Sequence, residues 1–305
     1  MELMTPRPLF PGARVALLAP ASAADPELLT PAAEAVRALG LEPVIYPSCR
    51  PEHRHGYFAA DDAQRAADLN CAFLDSGIDG IFCLRGGYGA ARLLPLLDLD
   101  AIASHPKWFG GYSDVTALHT AFNQSCGFVT CHCTMPSAWS RAPLDPLSTG
   151  WLRRALFDGL RGPLDLGSTR ETLVPGVAEG RLCGGNLSLL AASLGTPWAL
   201  DARGKLLFLE DIGEHNYRID AMLTQLRNGG IFRDCAGILL GQWTDITPEN
   251  PLRSLSLGEI FEELLVPAGK PLLTGLPCGH GLPTMALPLG AYARMDAASG
   301  TLEVL

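Results

Sequence analysis

Lysine is nearly missing from this 305-residue chain: only Lys107, Lys205 and Lys270 occur, and none sits in a suggestive motif. A Schiff-base or pyridoxal mechanism therefore has few candidates. Paired cysteine motifs are missing too. The nine Cys are an odd number without a C-x-x-C, a usage that suits a reducing compartment. No apolar run approaches the ~18 residues that would span a bilayer. Basic runs are absent: Arg153-Arg154 is the only adjacent pair, and the net charge is −9. That balance argues against a nucleic-acid partner. With 18% charged and 48% apolar residues, disorder over most of the length is excluded. The 33 Gly and 24 Pro follow no collagen-like period and punctuate a globular chain.

Two features imitate something they are not. The apolar residues 15–19, followed by Pro20-Ala21-Ser22-Ala23, look like a signal peptide. The apolar stretch is shorter than the roughly 7–15 residues of an h-region, so a first buried strand is expected. Cys131-His132-Cys133 looks like a metal cluster. Side chains alternating along an extended segment diverge, so no metal site is expected there.

The first half alternates short apolar runs with helical spacing. Strands are expected near 15–19, 43–46, 80–84 and 108–110, and helices over 26–39, 61–74, 90–97 and 114–123. This rhythm predicts a mostly parallel, covered sheet with ligands beyond the carboxyl ends of its strands. Residues 146–179 are rich in Pro, Gly, Ser and Thr and read as an inter-domain linker with a short helix near 151–156. Strands are expected near 205–210, 237–241, 271–274, 291–296 and 301–304, and helices over 219–227 and 258–265. The expectation is an α/β chain: a parallel-sheet domain over 1–145, the linker, and a smaller β-rich, barrel-like domain over 180–305.

Four segments can carry chemistry. In Trp108-Phe109-Gly110-Gly111-Tyr112-Ser113-Asp114 a strand runs into glycines, a serine and a helix start. A turn of this kind exposes a nucleophilic Oγ beside unused backbone N–H groups. Taken alone the motif is weak, and an ordinary helix start with Ser113 as N-cap and Asp114 favoured by the macrodipole is the better local explanation. The loop Arg85-Gly86-Gly87-Tyr88-Gly89 reads as a phosphate cradle, as a set of donors for an acyl intermediate, or as a tight turn. It lacks the Lys-Ser/Thr of a P-loop. Of seven histidines, His280 lies between glycines after a strand, where it reaches a cleft or stands in solvent. His119 falls on an apolar helix face and reads as a core residue. Leu206-Leu207-Phe208-Leu209-Glu210-Asp211 delivers carboxylates at a strand end. Glu210 there either orients a catalytic imidazole or pairs with Arg218 or Arg227.

Taken in order, Leu18-Ala19-Pro20, Leu84-Arg85-Gly86-Gly87-Tyr88-Gly89-Ala90, Gly111-Tyr112-Ser113-Asp114, Gly184-Gly185-Asn186-Leu187, Gly195-Thr196-Pro197-Trp198, Leu209-Glu210-Asp211, Arg218 to Leu226, and Gly279-His280 with Leu287-Pro288-Leu289-Gly290 resemble the LD-carboxypeptidases, serine hydrolases also called muramoyltetrapeptide carboxypeptidases. The resemblance covers nearly the whole chain. It implies a flavodoxin-like first domain and a homodimer. It implies Ser113 as nucleophile, His280 as general base and Glu210 as orienting acid, meeting in an interdomain cleft. It implies an oxyanion hole from the backbone N–H groups of Gly86, Gly87 and Asp114. No metal or cofactor is implied, and the substrate is a cytoplasmic murein tetrapeptide that loses its terminal D-Ala. Arg85, Asn186 and Arg218 are candidates to hold the D-Ala carboxylate. A rival reading is a relative, the microcin C immunity-type hydrolase of peptidyl or aminoacyl nucleotides.

Overall fold

The computed structural model describes residues 3–140, 142–248 and 250–305. The chain divides into two compact units, Met1–Gly159 with Met285–Pro288, and Leu160–Thr284 with Leu289–Leu305.

The first unit is built on β1 (Arg14–Leu18), β2 (Glu42–Ile45), β3 (Gly80–Cys83), β4 (Trp108–Gly111) and β5 (Thr130–His132). They pair in parallel in the order β2-β1-β3-β4-β5. This is the flavodoxin-like order, which reverses direction between β1 and β3. Val15 to Leu18 are fully buried. A continuous apolar run is what a parallel strand covered on both faces needs. The helix Asp62–Leu74 starts where Asp61 accepts a hydrogen bond from the Gln64 N–H at 2.7 Å. A late strand, Leu287–Leu289 (β12), lies beside β5 at the sheet edge, so part of the apolar run Met285-Ala286-Leu287-Pro288 serves this unit.

The second unit carries β6 (Gly162–Leu164), β7 (Glu171–Val174), β8 (Val177–Asn186), β9 (Leu206–Ile212), β10 (Gly237–Thr244), β11 (Leu272–Thr274), β13 (Tyr292–Asp296) and β14 (Thr301–Val304). Their order is β6-β14-β13-β8-β9-β10-β11-β7. The central β8 to β11 pairings are parallel, and both flanks are antiparallel. The sheet curls: Thr172 on the edge strand β7 donates from Oγ1 to the Ala297 carbonyl in the β13–β14 turn, and the end of β7 returns to the start of β8. That return gives the unit its barrel-like character. Leu207, Leu209, Ile238 and Leu240 pack with Leu190, Ile219, Leu223 and Ile260 of the covering helices into one buried cluster.

The stretch read as a linker is structured. Asp145 caps the helix Pro146–Phe157 by accepting from Leu147 and Ser148 N–H, and β6 and β7 follow as sheet edges. Its Pro and Ser are helix-start signals, and its Gly and Thr lie around short edge strands. The expected helix over 114–123 is broken into a 3-10 turn Ser113–Val115, a helix Thr116–Ala121 and a π turn Phe122–Cys126. β8 has no strand signal because of its glycines. A Cβ on Gly184 would sit 2.0 Å from the Phe208 carbonyl oxygen, and one on Gly180 would sit 2.4 Å from that of Gly204. Only glycine permits that approach.

Candidate active site

In the first unit, β4 ends at Gly111, Tyr112 stays extended and Ser113 turns to φ 64°. Among the described non-glycine residues only Ser113 and Asp245 have positive φ. Such a residue costs about 1–2 kcal/mol, and strain of this kind concentrates at functional sites. Tyr112, not Ser113, occupies the N-cap position of the turn that follows, so the capping reading does not describe this serine. The strand end beneath it is pinned. The Gly111 carbonyl accepts from the Cys133 N–H at 3.0 Å and lies 2.9 Å from Nε2 of His119. His119 is fully buried, its Nδ1 is 2.9 Å from Thr130 Oγ1, and burial pushes its pKa down to about 3. It is the neutral core histidine expected from its helix face.

The glycine loop lies against this turn. A Cβ on Gly86 would be 3.0 Å from Ser113 Cβ and 3.1 Å from its Oγ. Gly87, at φ 111°, leaves no space either, because a Cβ there would meet Ser22 Oγ at 2.4 Å. The buried Asp114 carboxylate fastens the two segments together, accepting from the Ala90 N–H at 2.7 Å. Arg85 is engaged with the loop after β1, its Nη1 donating to the Ala23 carbonyl at 2.9 Å.

Burial raises the Asp114 pKa to about 6, against hydrogen bonds from Ala90 and Gly89 that lower it. The folded chain therefore holds this proton more tightly than the unfolded chain does. The associated stability is complete below pH ~4 and is lost as pH rises through about 6. An Asp114→Asn variant has no such titration. Its Tm relative to the native protein should climb between pH 4 and 7, and a difference that stays flat across that range would contradict the assignment.

In the second unit, the carboxyl ends of three neighbouring parallel strands supply a second cluster. Glu210 ends the apolar part of β9, fully buried, and its Oε2 lies 2.7 Å from Nδ1 of His280. His280 follows β11 and its side chain is 10% exposed. With the carboxylate ionised, Nδ1–H donates to it and Nε2 carries the basic lone pair. The pairing with Arg218 is not formed. Arg218 bonds Glu214 at 2.6 Å, and its side chain is 54% exposed.

Gln242 on β10 had no sequence signal beyond being a polar residue at the end of an apolar strand. Its Oε1 accepts from the Gly281 N–H at 2.8 Å and its Nε2 donates to the Pro283 carbonyl at 2.9 Å. Its backbone N–H donates to the Cys278 carbonyl at 2.9 Å. The loop carrying His280 is thus tied down on both sides of the imidazole. Gly279 lets that loop pass the acid, since a Cβ there would be 3.1 Å from Glu210 Oε2.

Asn186 serves the neighbouring carboxylate. It is buried, donates to Asp211 Oδ1 at 2.9 Å and accepts from Ser188 Oγ at 2.6 Å. Asp211 also accepts from the Ser188 and Ile212 N–H groups, and burial raises its pKa to about 6. This network holds the start of the helix Leu187–Ser193 against β9 and gives Asn186 a structural task. Among the described residues no group of three or more His, Cys, Asp or Glu is arranged to hold a metal ion, and no helix is long and apolar enough to cross a membrane.

A parallel sheet and a mixed sheet with a parallel centre, both presenting polar side chains at carboxyl strand ends, define an α/β enzyme architecture. Residues 15–133 match the LD-carboxypeptidase N-terminal domain and residues 179–295 the LD-carboxypeptidase C-terminal domain. A probable murein peptide carboxypeptidase of Bacillus subtilis is 42% identical over 304 residues, 98% of this chain and 93% of the relative. The solved muramoyltetrapeptide carboxypeptidase of Oxalobacter formigenes superposes with a TM-score of 0.82 at 29% identity, covering 96% of this chain and 98% of that one. The microcin C7 self-immunity protein in complex with aspartyl sulfamoyl adenosine reaches 0.87 at 23% identity, over 99% and 98%. That last likeness speaks for the fold. The chain belongs to the LD-carboxypeptidase family and is a peptidase.

Proposed function

We propose that this peptidase releases the terminal D-Ala of murein tetrapeptides by serine catalysis. The observation that carries the reading is the left-handed backbone at Ser113, held against Gly86. A serine on such an elbow projects its hydroxyl clear of the strand. Ser113 Oγ attacks the carbonyl of the L-configured third residue, and His280 Nε2 takes its proton. Glu210 keeps the imidazole in that tautomer and stabilises the imidazolium. The N–H groups of Gly86, Gly87 and Asp114 receive the oxyanion. His280 then protonates the departing amine of D-Ala. Water activated by the same imidazole frees the acyl-enzyme, and no step calls for a metal or cofactor.

The B. subtilis and O. formigenes relatives support this substrate class by their names. The same reading makes the protein cytoplasmic, because its substrate is a recycled wall fragment, and the family resemblance makes it a homodimer. The rival substrate is an aminoacyl nucleotide. Incubation with a defined murein tetrapeptide should release D-Ala, detected by mass. An aminoacyl sulfamoyl adenosine should stay intact in parallel. Hydrolysis of the nucleotide with the tetrapeptide untouched would overturn the proposal.

A further inference from the structure

The flavodoxin-like order of the first unit places its switch point between β1 and β3. The loops beyond those two strands are where such a sheet forms a crevice. Here they are laced together. The Ser22 N–H donates to the Gly86 carbonyl at 3.3 Å, Ser22 Oγ accepts from the Tyr88 N–H at 3.0 Å, and the Ala23 N–H donates to the Tyr57 carbonyl at 3.0 Å. What this lacing presents outward is aromatic. Tyr57 is 61% and Tyr88 54% exposed. Their ring centroids are 6.0 Å apart with planes at 48°, and both lean on the buried Phe58 at 4.4 and 5.8 Å.

The support beneath is rigid. Guanidiniums of Arg65 and Arg92 lie 4.6 and 4.8 Å from the Phe58 ring centre, and both are paired with Asp62. Gly89 has no room for a side chain, since a Cβ would come within 2.6 Å of Phe58. Tyr88 is only two residues from Gly86, within about 7 Å of chain, and Gly86 touches Ser113.

This shelf does no work in the bond-breaking steps described above, yet Tyr88 belongs to the same glycine loop that lies against Ser113. Its chemistry narrows the occupant. It offers π faces and phenol hydroxyls over two guanidiniums that share the Asp62 carboxylate, a surface suited to a ring that carries hydroxyls. Two planes at 48° make a shallow V that cannot sandwich a flat nucleobase. A pyranose fits: its axial C–H face packs on an aromatic ring while its hydroxyls bond the phenols. We propose that Tyr57 and Tyr88 form a saccharide subsite that holds the muramoyl sugar of a glycosylated tetrapeptide. The inference rests on the D-Ala-releasing reading, because the wall peptides of that reading occur both free and attached to muramoyl sugar.

The test compares a disaccharide tetrapeptide with the free tetrapeptide, using native protein, Tyr57→Ala/Tyr88→Ala and Tyr57→Phe/Tyr88→Phe. The double Ala variant should raise KM for the glycopeptide about tenfold, near the ~1.4 kcal/mol two modest ring contacts supply. Its kcat, and its KM for the free peptide, should stay within about twofold. The Phe pair keeps the ring faces and should retain most of the preference. Saturation-transfer binding of N-acetylmuramic acid alone reads the shelf without turnover, and its signal should vanish in the Ala pair. Equal losses on both substrates, no loss on either, or tighter binding of adenosine than of the sugar would overturn the subsite. Sugar binding by a protein that releases no D-Ala from either substrate would instead sink the catalytic reading and keep the shelf.

Discussion

Replacing Ser113 by Ala should lower kcat for D-Ala release on the order of a millionfold, while Tm and KM change little. Removing the nucleophile deletes the covalent route altogether, and the loss corresponds to roughly 8 kcal/mol of barrier. What survives is the slow background that backbone donors and substrate binding sustain. The Tm should not fall, because the side chain removed is a single hydroxyl, and Ala meets the left-handed backbone about as poorly as Ser does. A fluorophosphonate probe should label the native protein and leave the Ala variant unmodified. Activity within tenfold of native in a folded Ser113→Ala protein would remove Ser113 from the mechanism.

Glu210→Gln is the second large effect, expected on the order of ten thousandfold in kcat. The side chain is fully buried and its volume is conserved, so packing is left intact. The chemistry is not left intact. A carboxylate only accepts, and it forces the proton of the neutral imidazole onto Nδ1, 2.7 Å away. An amide can turn its NH2 toward Nδ1 and hold the proton on Nε2, where the base must be empty. The imidazolium formed during attack would also lose its counter-charge. Nitrogen NMR of His280 should report the change of tautomer, and kcat should fall far more than KM rises. A Gln variant retaining a tenth of native activity would show that Glu210 does not orient the base.

The elements that carry these residues were legible for local reasons. Strand-to-glycine-to-helix transitions are written in consecutive residues, as at 108–116, and apolar runs mark β1, β3, β9 and β10 because buried parallel strands need no alternation. Elements whose residues answer to distant neighbours were not legible. β8 looks like a turn because its glycines exist to let another strand's carbonyls approach. The 146–179 stretch looked like a linker because edge strands carry little hydrophobic signal. The bond from Asn186 to Asp211, 25 residues away, has no local signature either.

The amino-acid order by itself settled the α/β class, the parallel first unit and the short list of side chains capable of acyl chemistry, since each is encoded in spacing over a dozen residues or fewer. Only the tertiary structure decided which of several histidines and carboxylates pair, as Glu210 and His280 do across 70 positions. It alone put Ser113 in a left-handed turn and set two tyrosines side by side above Phe58. Hydrogen bonds and close backbone approaches between distant segments form only when the sheets assemble, and no local pattern carries that information.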